Sequence, residues 1–300
     1  MKKNLIVYHR VDYDGIFSCG IFKDFYARKG IEADIFGWNY GDKPLDIGMI
    51  MGRYSSVSLV DISFSPKEMI RLRDTGRVTW IDHHITAITD SEVHGYNDLP
   101  GIREIGTAAC ELCWKYLYPN QEVPEIIKIL SSYDVWNKTR YNWEDTVLPV
   151  QYGLKTRYGI RAKDIFEDWN YIIGSWEDIL DDGMAVYSYL KDTWKSWVSN
   201  YSFEVIVAGK YRGICILSPM FGSSCFNSVL DKDYEVYIVA NTRNGGSTYA
   251  ASFYKESPNI APNFSCGEYA KLYGGGGHDS AAGCELTREQ FERLVFNHEI

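Results

Sequence analysis

At 300 residues, with 45% hydrophobic and 24% charged side chains, the chain is long enough for two domains with separate cores and has an ordinary globular composition. A formal net charge of −9 excludes an open basic surface for long nucleic acid, although carboxylates clustered around divalent cations are compatible with phosphate substrates. Seven scattered cysteines, an odd number, favour reduced thiols over a disulfide framework, and no stretch is long enough to span a membrane, so a soluble, cytoplasmic protein is expected.

The N-terminus begins like a signal peptide, but its apolar core is short and runs straight into charge. Residues Asn4 to His9 instead predict a buried strand, because Leu5-Ile6-Val7-Tyr8 is continuously apolar. The strand ends in His9-Arg10-Val11-Asp12-Tyr13-Asp14-Gly15, and helical periodicity follows from Ile16 to Lys29. A helix N-cap accounts for one of these aspartates, but not for both and the histidine. A second strand is predicted over Ile31 to Tyr40 and a third over Val57 to Ile62, with Asp61 at its carboxyl end. Alone, Asp61 would read as a cap for the helix near Pro66. The fourth strand leads from Gly76 into Trp80-Ile81-Asp82-His83-His84. Four strands alternating with helices predict a mostly parallel, helix-flanked sheet, and three of the four end in His or Asp, where such sheets bind ligands.

Helices are predicted over Gly106 to Tyr118 and Pro124 to Ser132. Cys110-x-x-Cys113 has no second pair and reads as buried helix thiols rather than zinc ligands. Asp134 follows the second helix, where a carboxylate opposes the helix dipole and calls for another partner, such as a cation. The aromatic-dense stretch from Trp136 to Trp197 reads as core before it reads as a base-stacking surface. Residues 178–199 predict one long helix. Strands then follow over Phe203 to Ala208, Gly213 to Leu217, Tyr234 to Asn241 and Tyr249 to Tyr254, with shorter helices around Ser223 to Leu230, Cys266 to Leu272 and Thr287 to Asn297. The domains are placed at 1–177 and 203–300, with a linker helix over 178–202. Within the second lies Gly274-Gly275-Gly276-Gly277-His278, read as an anion cradle of backbone N–H groups with an adjacent proton donor, against the plainer reading of a flexible hairpin tip.

Together these pieces resemble the DHH phosphoesterase superfamily, specifically its DHH–DHHA1 members, which include nanoRNases, RecJ-like exonucleases and cyclic-dinucleotide phosphodiesterases. His9, Asp12, Asp14 and Gly15 look like the first motif, Asp61 the second, Asp82-His83-His84 the third and Asp134 the fourth. Gly274 to His278 look like the DHHA1 signature, and Gly106-Thr107-Ala108-Ala109 is similar to the family's small-residue helix start. The ordered set covers nearly the whole chain. Two positions depart from it: only Arg10 and Val11 separate His9 from Asp12 where many nanoRNases have three residues, and Tyr254 stands where their substrate element has Arg.

The resemblance implies an α/β DHH domain plus a smaller DHHA1 domain, with the active site in the cleft between them. It implies two divalent cations, one on His9, Asp12 and Asp61 and the other on Asp14, Asp61, His83 and Asp134. This thiolate-free donor set favours Mn²⁺, with Mg²⁺ or Co²⁺ as substitutes. Asp82 would orient an imidazole, while His84 and His278 would contact phosphoryl oxygens and protonate the leaving group. Gly274 to Gly277, Tyr254 and Lys255 would bind substrate. The implied reaction is hydrolysis of short oligonucleotides to mononucleotides, by a monomer or a homodimer. Cyclic-dinucleotide phosphodiesterase, 3'-phosphoadenosine phosphatase and exopolyphosphatase share the chemistry. A DHH-like binding protein without catalysis is the contrasting class, disfavoured because every matched ligand position is filled. Long duplexes and long single strands are not expected substrates of so acidic a chain.

Overall fold

The computed structural model describes residues 2–43, 45–219, 222–256, 260–277 and 279–296. Two compact units divide it, Met1–Tyr187 and Ser188–Ile300, each with its own sheet.

In the first unit the strands are β1 (Asn4–His9), β2 (Ala33–Trp38), β3 (Val57–Val60) and β4 (Val78–Ile81), all parallel, in the order β2-β1-β3-β4. Successive strand residues face opposite sides, so β1 splits its apolar run between two cores. Ile6 and Tyr8 pack with Val60, Ile81 and the helices α1 (Tyr13–Arg28), α5 (Ala109–Leu117) and α6 (Glu125–Asp134). Leu5 and Val7 pack with Leu59, Trp80 and the helices α2 (Ile47–Arg53), α3 (Pro66–Arg73) and α4 (Ile85–His94). Burial on both faces is why β1 reads as a continuous apolar run. Burying each such aliphatic side chain is worth roughly 1.5–3 kcal/mol. A π-helical turn (Trp143–Val147), α7 (Leu148–Tyr158), α8 (Ala162–Glu167) and α9 (Trp169–Gly174) complete the first unit's helical layer. The long helix expected over 178–199 is α10 (Trp176–Tyr201), and the boundary between the two units falls inside it.

The strand order reverses between β1 and β3. Their carboxyl ends therefore diverge into the crevice where open α/β sheets take ligands. Gly15 lets α1 start against this crevice, because a Cβ there would lie 2.0 Å from the His9 carbonyl oxygen.

The second unit is a mixed sheet ordered β5-β6-β7-β8-β10-β9. Its strands are β5 (Phe203–Val207), β6 (Tyr211–Leu217), β7 (Val236–Arg243), β8 (Thr248–Tyr254), β9 (Gly276–Gly277) and β10 (Ala281–Thr287). Among the described residues, only β6 and β7 pair in parallel. Residues of α11 (Cys266–Lys271) and α12 (Arg288–Phe296) close its core with Ile238, Phe253 and Leu286. The predicted helix around 223–230 is a 3₁₀ helix over Ser223–Val229, and β10 has no counterpart in the sequence reading. No helix among the described residues is long and apolar enough to cross a membrane.

Candidate metal centre

The ends of β1, β3 and β4, with the end of α6, bring six predicted ligands into two groupings. The ligating atoms of His9, Asp12 and Asp61 lie within 4.8 Å of one another, and so do those of Asp14, His83 and Asp134. Ligands at 2.0–2.2 Å from one cation are at most about 4.4 Å apart, so a small closure would complete either set. Asp61 stands between the groupings. Its Oδ2 is 3.5 Å from His9 Nδ1 and its Oδ1 is 3.4 Å from His83 Nε2.

Each member is held by contacts that fix its orientation. Asp12 caps α1, one oxygen accepting from Gly15 N–H at 3.0 Å while the other lies 2.7 Å from His9 Nδ1. The short spacing through Arg10 and Val11 thus still brings His9 to Asp12. His9 Nε2 donates to Asn39 Oδ1 at 3.0 Å, since an amide oxygen only accepts. In the neutral ring Nδ1 is then a lone pair facing two carboxylates. Buried His9 Nδ1 and Asp61 Oδ1 have no aligned hydrogen-bond partner, as expected of donors that converge on a shared cation rather than on each other. Asp14 is seated on the first turn of α5, accepting from Ala109 N–H at 2.8 Å and Cys110 N–H at 2.7 Å. Asp134, the last residue of α6, lies 3.2 Å from His83 Nε2.

Asp82 belongs to neither grouping. Its Oδ1 accepts from the His83 and His84 backbone N–H groups at 2.7 and 3.0 Å and from His84 Nδ1 at 2.7 Å, and Oδ2 accepts from Trp80 Nε1 at 3.2 Å. Although the His84 ring also lies near Asp61 and His83, its Nδ1 is engaged by Asp82, so Nε2 is the nitrogen left for a ligand.

With protons as the only counter-charge, the cluster is electrostatically frustrated. Burial, then repulsion from Asp61, pushes Asp14 up to about 8. Burial pushes Asp61 up to about 7, and Asp134 is raised to about 7 by burial and Asp14. Burial lowers the His9 ring, but Asp12 and Asp61 outweigh it and raise it to about 10. His84 is likewise lowered by burial and raised further by Asp82, to about 9. Divalent cations reverse this logic by favouring the ionised carboxylates and neutral imidazoles. The donor set therefore fits metal.

In the second unit the expected substrate contacts are placed differently. Gly274 and Gly275 N–H groups donate to Lys271 and Ala270 carbonyls, terminating α11, so these two do not form an open anion cradle. Gly276 and Gly277 pair with β10 as edge strand β9, and a Cβ on Gly275 would lie 2.2 Å from the Gly283 carbonyl oxygen. Close strand approach accounts for that glycine. Lys255, expected to offer a charge to substrate, is buried, with Nζ 2.7 Å from Asp279 Oδ2 and donating to the Phe264 carbonyl at 2.6 Å. It ties the end of β8 to the loops before α11 and β10. Tyr254 is half-buried at the end of β8, paired with Tyr237 and Ala281. His278 lies outside the described residues.

Sequence reasoning missed Asn39, which sets the His9 tautomer, and the α5 N–H groups beneath Asp14. An asparagine just past a strand reads as a turn residue, and backbone donors carry no letter.

No family model matches the chain. It is 22% identical to the oligoribonuclease NrnB of Bacillus subtilis over 96% of this chain and 74% of that protein. Its fold is similar to that of the pGpG-specific phosphodiesterase PggH of Vibrio cholerae, with a TM-score of 0.61, 12% identity and coverage of 99% of this chain and 97% of the other. A DHH domain from a protein described as a member of the S1p family of ribosomal proteins superposes with a TM-score of 0.60, at 14% identity, over 99% of this chain and 85% of that one. In its fold the chain is similar to DHH-domain proteins, and its aspartate and histidine motifs follow one another in the order set out above.

Proposed function

We propose that this chain is a divalent-metal-dependent phosphodiesterase that hydrolyses short oligonucleotides to mononucleotides. The observation that carries the reading is the Asp61 carboxylate, which turns one oxygen to each of two ligand groupings. In this reading His9, Asp12 and Asp61 hold one cation, and Asp14, Asp61, His83 and Asp134 hold the other, with Mn²⁺ favoured by the oxygen and nitrogen donors. Bound there, two cations supply a water of lowered pKa and neutralise charge developing on the phosphoryl oxygens.

The chain's own groups do the rest. The Asn39 amide keeps the His9 Nδ1 lone pair on the metal side. Ala109 and Cys110 N–H groups hold the Asp14 carboxylate in place. Asp82 fixes His84 by Nδ1, so Nε2 is the nitrogen left to meet the leaving oxygen. His278 and Tyr254 are the proposed substrate contacts of the second unit. The similarity to an oligoribonuclease and to a dinucleotide phosphodiesterase supports the substrate class.

The test is a Mn²⁺-supplemented hydrolysis panel of di- to decanucleotides, cyclic dinucleotides, 3'-phosphoadenosine 5'-phosphate and polyphosphate. Turnover of dinucleotides that chelation abolishes is the expected result. Turnover of polyphosphate alone, or activity undiminished in chelator, overturns the reading.

A further inference from the structure

A cavity of about 460 Å³ in the first unit shares His84 with the candidate metal centre. Trp38 and Tyr40 line it from the end of β2, Phe64 from the segment before α3, and Thr86 and Asp90 from α4. Thr86 and Asp90 are four residues apart and so share one helix face. The Tyr40 ring is fixed on several sides. Its centroid is 5.7 Å from that of Trp38 and 5.9 Å from that of His9, and its hydroxyl accepts from the Ser63 N–H at 3.2 Å. The residue nevertheless keeps 48% of its surface exposed, so part of a held aromatic ring is available to a ligand.

The charge of the lining selects the ligand. No lysine or arginine is among the described residues that line the cavity, and Asp90 contributes an anion. A second phosphate would be repelled from such a space, whereas a flat neutral heterocycle with N–H donors matches aromatic walls and a carboxylate acceptor. The volume lies within the range of small-molecule sites.

We infer that this cavity is a nucleobase subsite. It holds the base of the nucleotide whose phosphate occupies the neighbouring metal centre, with Tyr40 as the stacking platform and Asp90 accepting from the base edge. The inference rests on the phosphodiesterase reading for the position of that phosphate. It adds a reason why nucleotides, rather than chains of phosphate, would suit the site: the group beside the reacting phosphate is received by aromatic rings and a carboxylate.

The full chain is titrated, with Mn²⁺ present, against the monophosphate of 2-aminopurine riboside, whose fluorescence is quenched on stacking. Dinucleotide hydrolysis is followed in parallel. Wild-type protein is expected to quench the fluorophore. Tyr40→Leu and Thr86→Trp, the first removing the platform and the second filling the cavity from an exposed helix position, are expected to lose the quenching and weaken binding about tenfold. Unchanged quenching and affinity in both variants, with wild-type hydrolysis intact, overturn the subsite and leave the phosphodiesterase reading standing. Quenching that both variants lose, in a protein that hydrolyses no phosphodiester, supports the subsite and removes the phosphodiesterase reading.

Discussion

Asp61 adopts a left-handed backbone conformation, φ +57°, at a fully buried strand end. A non-glycine residue there stores about 1–3 kcal/mol of strain, least for Asp and Asn, and such strain gathers at functional sites. The Asp61 N–H is tied to the Ile81 carbonyl at 2.9 Å, which fixes the backbone from which the carboxylate reaches its two groupings. Asp61→Asn keeps the shape and the backbone preference but removes the bridging charge. It is expected to lower turnover at least 100-fold and to bind fewer than two Mn²⁺ by calorimetry, while raising the melting temperature in chelator. Two bound ions at wild-type affinity would remove Asp61 as the bridge. The pH dependence follows from the same cluster. Asp14, Asp61, Asp134, His9 and His84 all have folded-state pKa values raised above their unfolded ones, from 3.8 to about 7–8 for the carboxyls and from 6.5 to about 9–10 for the rings. The folded state thus keeps protons that the unfolded chain has released. This stabilisation is complete below the unfolded values and is lost as pH rises through the folded ones. The chelated protein should therefore melt at progressively lower temperature from pH 5 to pH 9, and the stabilisation by Mn²⁺ should grow over that range as metal displaces protons. A melting temperature in chelator that does not change with pH would contradict the charge assignment.

At the scale of elements, α5 acts through its first turn. Its N–H groups carry a partial positive charge and orient Asp14 by two hydrogen bonds. Ala109→Pro tests this, because proline is tolerated at the first helical position and Ala108 before it is already extended, but the N–H that Asp14 Oδ2 needs is gone. Mn²⁺ affinity is expected to fall about 10–100-fold, the usual scale for a contact that orients a ligand, with helix content by circular dichroism unchanged. Unaltered affinity would mean that Asp14 is positioned by its neighbours alone. Sequence legibility also varies by element. The bounds of β1 can be read to the residue because its apolar run is bounded by Asn4 and His9. The glycine run is ambiguous by nature, since four glycines suit a loop around an anion and an edge strand equally well. The structure puts it at the end of α11 and in β9. The strand β10 is hidden because Ala281-Ala282-Gly283 alternates nothing. The motif aspartates and histidines were legible because each follows an apolar strand or helix. The contacts that orient them cross distant sequence, as from Asp14 to Ala109 or His9 to Asn39, and pattern alone does not reach that far.

For the whole molecule, charge and domain content bear on substrate length. The chain carries 31 basic against 40 acidic residues. A protein that tracks a long strand neutralises many phosphates, and its affinity falls steeply with salt, with a logarithmic slope near −0.7 per phosphate for single strands. On the proposed reading the cationic charge at the site would be supplied by bound metal, and the cavity beside it is lined by aromatic rings and Asp90 rather than by lysines. Lys255, which reads in sequence as a point charge for substrate, is paired internally with Asp279. Only the one or two phosphates nearest the metal would then be neutralised, and each added nucleotide beyond the first few would meet an acidic surface. Dimers to pentamers are expected to be cleaved with higher kcat/KM than decamers. For decamers too the slope of log kcat/KM against log salt should be shallower than about −2. A slope near −5, or a preference for strands beyond ten nucleotides, would indicate a basic track that this chain's charge does not provide, and would replace the short-oligonucleotide assignment with processive degradation of single strands.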